Sequence, residues 1–353
     1  MKIAITADVH LGGKKEYPER YNALENLLKT VDQEKINTLI IAGDLFDETY
    51  RNFAEFDKLA SKYEHVSIHI IPGNHDMLID DKAFTANNVI VYTVPTVKQF
   101  DISGLVFFLV PYQKDLLMGE VIASSLEHLP VNKWILIGHG DWESGIKASN
   151  PHEPGVYMPL SSRDIASFKP AYVFLGHIHK PMDEKPVCYP GSPCGLDITE
   201  TGRRRFIVFD TENQSINPVS VDTDALYFSE TFSIYPIQDE ESYIRSQIKE
   251  RTKSWGIREQ EKKKVKIRIK IRGYSSNKKR LNEIVEEEFR GFTFYDADGI
   301  DLKEVFLSEN YEQEEIARKT AEKINMINWP TGENQPTHDD ILFHALQTIY
   351  GVK

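Results

Sequence analysis

A chain of 353 residues that opens in β-α-β-α-β order predicts an α/β fold of two stacked sheets flanked by helices. A small α+β domain and a helical tail follow. Three observations carry this reading. Short apolar runs alternate with helically spaced stretches from Lys2 to Ile71. The composition shifts after Thr223, and beyond Asp301 the chain turns charged and polar. The boundaries expected are 1–225, 226–300 and 301–353. A chain this long exceeds one ordinary core.

The elements follow in order. Lys2–Ala7, Thr38–Ala42 and Val66–Ile71 are apolar runs bounded by turn residues, the mark of strands. Between them, Tyr21–Glu34 places Leu24, Leu27, Leu28 and Val31 on one helical face, and Phe53–Tyr63 does so with Phe56, Leu59 and Ala60. Further strands are expected at Val89–Val94, Val97–Phe100, Leu105–Val110, Trp134–Ile137 and Tyr172–Leu175. Val187–Tyr189, Arg205–Asp210 and Ser215–Val221 read as a late, mostly antiparallel group. The second domain reads as strand Leu226–Pro236, helix Glu240–Trp255, strand Lys264–Gly273, helix Asn277–Phe289 and strand Gly291–Asp296. In the tail, Tyr311–Ile327 and Asp340–Tyr350 read as helices around a Pro/Gly/Asn/Thr linker, Asn328–Asp339.

Bulk properties exclude some classes. No apolar run reaches the roughly 18 residues that a bilayer span needs. A carboxylate at Asp8 comes too early for a secretory signal, so the cytoplasm is expected. Cys188 and Cys194 are too few for a disulfide framework and lack the partners of a zinc site; they read as incidental thiols. A net charge of −12 speaks against a surface coated in positive potential, though a local basic patch can still meet phosphate.

Polar clusters close five predicted strands. They are Asp8-Val9-His10, Gly43-Asp44-Leu45-Phe46-Asp47, Gly73-Asn74-His75-Asp76, Gly138-His139-Gly140-Asp141 and Gly176-His177-Ile178-His179. Carboxyl ends of strands in α/β sheets converge on one crevice, so these side chains are expected to face one another. Imidazole, carboxylate and amide oxygen without thiolate suit manganese, iron or zinc. The donors outnumber what one ion needs, and a central carboxylate such as Asp44 can bridge two ions. Each cluster alone is ordinary; the ordered set is not. Asp47 and Asp76 also suit turns or helix caps, and Asp76 is left open.

In that order these clusters resemble the calcineurin-like metallophosphoesterase superfamily. Asp8-Val9-His10-Leu11-Gly12, Gly43 to Asp47, Leu175 to Pro181 and Tyr189-Pro190-Gly191-Ser192-Pro193 are similar to the SbcD-type nuclease subunits, the branch that includes the meiotic-recombination-eleven nucleases. The motifs cover about residues 1–210, and the next domain is similar to that branch's capping domain in size and order only. The resemblance implies two divalent ions, usually manganese. Asp8, His10 and His179 would hold one, and Asn74, His139 and His177 the other, with Asp44 shared. It implies that His75 lies beside the scissile phosphate without binding metal and that Asp47 orients it. The activity implied is DNA exo- and endonuclease action with an SMC-like ATPase in repair and recombination, and a homodimer is expected.

Two features bear on the substrate. Arg203, Arg204 and Arg205 open one strand, and Lys264, Lys266, Arg268, Lys270 and Arg272 alternate along another against Val265, Ile267, Ile269 and Ile271. This row is either a DNA contact or a solvated strand face. Ile341, Leu342, Ala345, Leu346 and Ile349 line one side of the last helix, which either binds the ATPase or packs on its own domain. A phosphodiesterase or phosphatase acting on a small nucleotide or phosphoprotein is the rival enzyme. A scaffold whose cutting is incidental is the rival from another class.

Overall fold

A computed structural model describes residues 1–48, 53–102, 104–131, 133–143, 155–308, 311–328 and 335–351. The chain forms two compact units: Met1–Gly195 with Arg203–Asp224, and Leu196–Gly202 with Ala225–Lys353.

The first unit is a mixed α/β sandwich of two six-stranded sheets. One sheet runs, in spatial order, Ser215–Ser220, Arg205–Asp210, Lys2–Thr6, Thr38–Ala42, Ser67–Ile71, Val89–Val91. The other runs Met182–Glu184, Val187–Tyr189, Tyr172–Gly176, Trp134–His139, Val106–Val110, Thr96–Lys98. Period-two alternation explains the layering. Ile3 and Ile5 point into the core between the sheets with Ile40, Phe107, Ile137, Phe174 and Phe209, whereas Ala4, Leu39 and Ile41 face the helices. Strand Thr38–Ala42 is therefore buried throughout: both its faces are covered. Helix Pro18–Gln33 starts with proline in its first turn and buries Leu24, Leu27 and Leu28 completely. Each such burial contributes about 1.5–3 kcal/mol.

The late group behaves as two pieces. Arg205–Asp210 and Ser215–Ser220 form the antiparallel hairpin that the sequence predicts, packed beside Lys2–Thr6. Val187–Tyr189 instead pairs parallel to Tyr172–Gly176, because the short strand Met182–Glu184 reverses the chain just before it. Cys188 and Cys194 are buried thiols and form no disulfide.

The second unit is a parallel sheet of Leu226–Ile234, Val265–Ser275, Thr293–Phe294 and Asp301–Leu307. Helices Glu240–Ser254 and Lys278–Glu288 bury Ile244, Ile248, Leu281 and Ile284 against Ile267, Ile269 and Ile271. Two differences from the sequence reading stand out. Asp301–Leu307 is a strand of this sheet, hidden in the sequence because only Val305 among its residues is buried. Helices Glu314–Met326 and His338–Tyr350 also belong to this unit: Leu342 and Leu346 pack with Ala317, Ala321 and Ile324 beside Tyr235 and Tyr274. The apolar stripe expected to reach a partner is thus largely covered inside the unit. Residues 329–334 of the expected linker lie outside the described residues.

One buried histidine in the first unit sets a pH dependence. His69 is 4% exposed, lies 2.9 Å through Nδ1 from the Tyr92 hydroxyl, and meets Phe100 edge-on. Burial pushes its imidazole down from 6.5 to about 4. The folded state thus favours the neutral ring, so this contribution is complete above pH 6.5 and is lost as pH falls toward 4. Urea midpoints of the protein and of His69→Gln, measured across that window, are expected to show a shallower acid slope in the variant. The difference should reach about 2–3 kcal/mol at the acid end.

Candidate metal centre

The strand ends meet because backbone bonds tie them in pairs. Asp8 N donates to Gly43 O at 3.1 Å, His10 N to Asp44 O at 3.0 Å, and Gly140 N to Gly176 O at 3.1 Å. Two bonds cross between the sheets: His177 N donates to Asp8 Oδ1 at 2.8 Å, and His139 Nδ1 lies 2.9 Å from Ala42 O. The second also fixes a tautomer. Nδ1 of His139 must carry the proton it donates, so in the neutral ring it is the Nε2 lone pair that faces the centre.

All seven expected ligands come together. Nε2 of His10 and of His179 lie 3.0 Å apart. Asn74 Oδ1 lies 2.9 Å from His139 Nε2 and 3.3 Å from His177 Nδ1. Asp44 stands between the two groups, its Oδ2 3.2 Å from His139 Nε2 and 3.7 Å from His10 Nε2. Asp8 with His10 and His179, and Asp8 with Asp44 and His139, each bring donor atoms within 4.8 Å of one another. Asp8, Asp44 and His139 are 0% exposed.

The chemistry of this set fits divalent cations. Asp8 Oδ2 is buried and accepts no hydrogen bond from the described residues, a costly state for a carboxylate unless a cation meets it. Burial pushes the Asp8 carboxyl up to about 6. Burial opposes charge on His139 too, but Asp44 and Asp8 outweigh it and raise this imidazole to about 9. Burial alone dominates at His10, which falls to about 3. Asp44 stays below the usual carboxylate range because His139 and His10 overcome its burial. Four of the donors also sit at positive φ: Asp8 at 54°, His10 at 48°, Asp44 at 51° and His177 at 98°. Non-glycine residues are strained in this geometry, and such strain gathers where side chains must converge.

His75 stands at the rim, its ring edge-on to His10 at 4.7 Å, and its backbone N–H donates to Asp44 Oδ1 at 2.9 Å. Nδ1 lies 3.7 Å from Asp47 Oδ1, so the two side chains expected from the sequence to pair are adjacent. Asp76 is buried, accepting from Gly73 N at 2.7 Å and Phe46 N at 3.1 Å. It ties the Asn74 loop to the Asp44 loop.

Arg204 corrects the sequence reading. It is 1% exposed, not a surface cation: its guanidinium bonds Ser192 and the His179 carbonyl. Packing around that carbonyl is tight, since a Cβ added at Gly191 would come within 2.6 Å of it. Arg204 and the Tyr189–Pro193 loop therefore hold the segment of the candidate ligand His179 in place. Arg203 is half-buried. The basic strand is altered as well. Its alternation holds, but acids from distant segments pair with it: Arg268 with Asp296 at 2.7 and 2.9 Å, Lys270 with Glu304 at 2.9 Å, Arg272 with Asp340 at 2.8 Å. Lys266 is exposed and lies 5.7 Å from the Tyr227 ring, while Lys264 sits in the 3-10 turn before the strand.

Sequence reasoning gave no role to Arg20, Asp141 or Tyr157. Arg20 bonds the His10 carbonyl and lies 3.2 Å from Asp47. Asp141 Oδ1 is 3.7 Å from His177 Nε2 and its Oδ2 accepts from Tyr157 N at 2.6 Å. The Tyr157 ring lies 4.6 Å from that of His177. Asp141 carried a signal, two residues after the candidate ligand His139 in a glycine-flanked turn. Tyr157 carried none.

A two-sheet sandwich with this donor set at its strand ends defines a metal-dependent phosphoesterase. The chain belongs to the calcineurin-like phosphoesterase family, whose pattern matches residues 1–181. It is 29% identical over 294 residues to the SbcD component of the SbcCD nuclease of Staphylococcus epidermidis, covering 72% of this chain and 77% of that protein. It is 26% identical over 213 residues to the uncharacterized metallophosphoesterase YhaO of Bacillus subtilis, covering 56% of this chain and 51% of that one. A yellow lupin purple acid phosphatase structure aligns with a TM-score of 0.37 at 13% identity, over 62% of this chain and 52% of the other. No helix among the described residues is long and apolar enough to cross a membrane.

Proposed function

We propose that this protein is a manganese-dependent DNA exo- and endonuclease, the nuclease subunit of an SbcCD-type complex with an SMC-like ATPase, acting as a homodimer in cytoplasmic DNA repair and recombination. One observation carries the reading beyond phosphoester hydrolysis. The 72% of this chain similar to the SbcD protein exceeds what residues 1–224 can supply, so the similarity reaches into the second unit.

Asp8, His10 and His179 would hold one cation and Asn74, His139 and His177 the other, with Asp44 shared. When bound, a divalent pair supplies positive charge against the phosphate oxygens and makes water acidic enough to attack near neutral pH. The protein's own part is to place a proton donor opposite. His75, beside Asp47 and outside the ligand ring, is suited to meet the leaving oxygen.

The pairing of Arg268, Lys270 and Arg272 with acids favours keeping a second reading, a phosphodiesterase or phosphatase for a small nucleotide or phosphoprotein. Manganese-loaded protein assayed on single- and double-stranded DNA separates the two. DNA cleavage that drops about 10²–10⁴-fold in His75→Ala, with metal content unchanged, is expected. Turnover of small esters with no cleavage of any DNA would favour the rival instead.

A further inference from the structure

We propose that Arg20 is a positioning residue of this centre: one guanidinium holds both the His10 backbone and Asp47, and so sets Asp47 against His75. The inference rests on the reading of His75 given above.

Arg20 lies in the first turn of helix Pro18–Gln33, yet is only 8% exposed. Its Nη1 donates to the His10 carbonyl and to Asp47 Oδ2 at 3.2 Å. These acceptors end two different loops, those after strands Lys2–Thr6 and Thr38–Ala42. The loops are also joined by Leu11 N to Leu45 O at 2.8 Å and Asp47 N to Leu11 O at 3.0 Å. The backbone ladder fixes where the Asp47 Cα lies, but not where its carboxylate turns. Asp47 is 40% exposed at its side chain, and an exposed carboxylate left to itself samples several rotamers. Arg20 takes Oδ2, while Oδ1, which accepts from Glu48 N at 3.0 Å, lies 3.7 Å from His75. The guanidinium is itself pinned by the Tyr17 ring, 4.2 Å from its centre. Both bonds leave from Nη1, so a lysine ammonium can approach the same two acceptors, but without the planar group that lies over Tyr17.

Because Arg20 acts through Asp47, its loss and the loss of Asp47 should not multiply. The test uses the full chain loaded with manganese and a single-stranded oligothymidylate as substrate, because its alkoxide leaving oxygen must gain a proton. The variants are Arg20→Met, Arg20→Lys, Asp47→Asn, the Arg20→Met/Asp47→Asn double variant and His75→Ala. Arg20→Met is expected to lower kcat about 10–100-fold, with KM within about threefold and manganese content unchanged. The double variant should be no slower than the slower single, and Arg20→Lys should recover part of the rate. Losses that multiply, an unchanged kcat, or a rate loss matched by lost manganese would each overturn the proposal. Should Arg20→Met fail to fold, the same cycle built on Arg20→Lys decides. Wild-type activity in His75→Ala would instead defeat the reading of His75, while the Arg20–Asp47 cycle would still report whether the two residues act as one.

Discussion

Asp44→Asn is expected to cut phosphodiester turnover about 10³-fold and to lower the stability of the metal-free protein as well. Asp44 is 0% exposed and faces two groups of donors at once, through His139 at 3.2 Å and His10 at 3.7 Å. An asparagine keeps the shape and the Oδ1 that accepts from His75 N, but removes the charge that a shared cation ligand must carry. Metal content should fall from two ions per chain to one or fewer. In chelator a loss is expected too, because His139 and His10 hold the Asp44 carboxylate below its ordinary range despite its burial, and the substitution takes that charged partner from the buried His139 ring. About 1–3 kcal/mol, or several degrees in Tm, is expected there. Metal analysis, kcat and melting in chelator together read this. A variant that keeps two ions and full turnover would mean that Asp44 is not a shared ligand.

The second large effect comes from adding a single methyl group. Gly43 has φ +89°, and a Cβ there would lie 1.9 Å from Nδ1 of His139. His139 cannot easily yield, since the same nitrogen is bonded to Ala42 O. Gly43→Ala must therefore strain the backbone and displace a candidate ligand together. A destabilisation above about 3 kcal/mol with near-complete loss of turnover is expected. Gly104→Ala supplies the control: φ is +80°, and nothing lies within 4 Å of the added carbon. Its cost should be about 1 kcal/mol of backbone strain, with activity intact. Equal effects in the two variants, by urea unfolding and kcat, would show that strain rather than the imidazole decides.

The sequence made the centre legible because its signal is local. Each donor group directly follows an apolar strand; parallel pairing brings such ends to one edge within each sheet, and the stacking of the two sheets brings the edges together. What stayed hidden depends on register and on side-chain direction. Arg204 stands in an Arg-Arg-Arg run that looks solvated, yet it lies just before strand Arg205–Asp210 and turns inward onto Ser192, a partner twelve residues away that only the fold supplies. Arg20 sits between Glu19 and Tyr21 with nothing to mark it as buried. The acids that neutralise the basic strand lie 28 to 68 residues away, at Asp296 and Asp340, and only strand pairing and helix packing bring them across. Strand Asp301–Leu307 escaped for a related reason: with one buried residue it lacks the apolar alternation by which strands are recognised.

The account depends on these loops forming one nest for two cations. Diffraction from manganese-soaked crystals at the manganese absorption edge tests that directly. Two anomalous peaks about 3.5–4 Å apart are predicted, one against Asp8, His10 and His179, the other against Asn74, His139 and His177, with Asp44 between them. A single peak elsewhere, or none among these side chains, would contradict it.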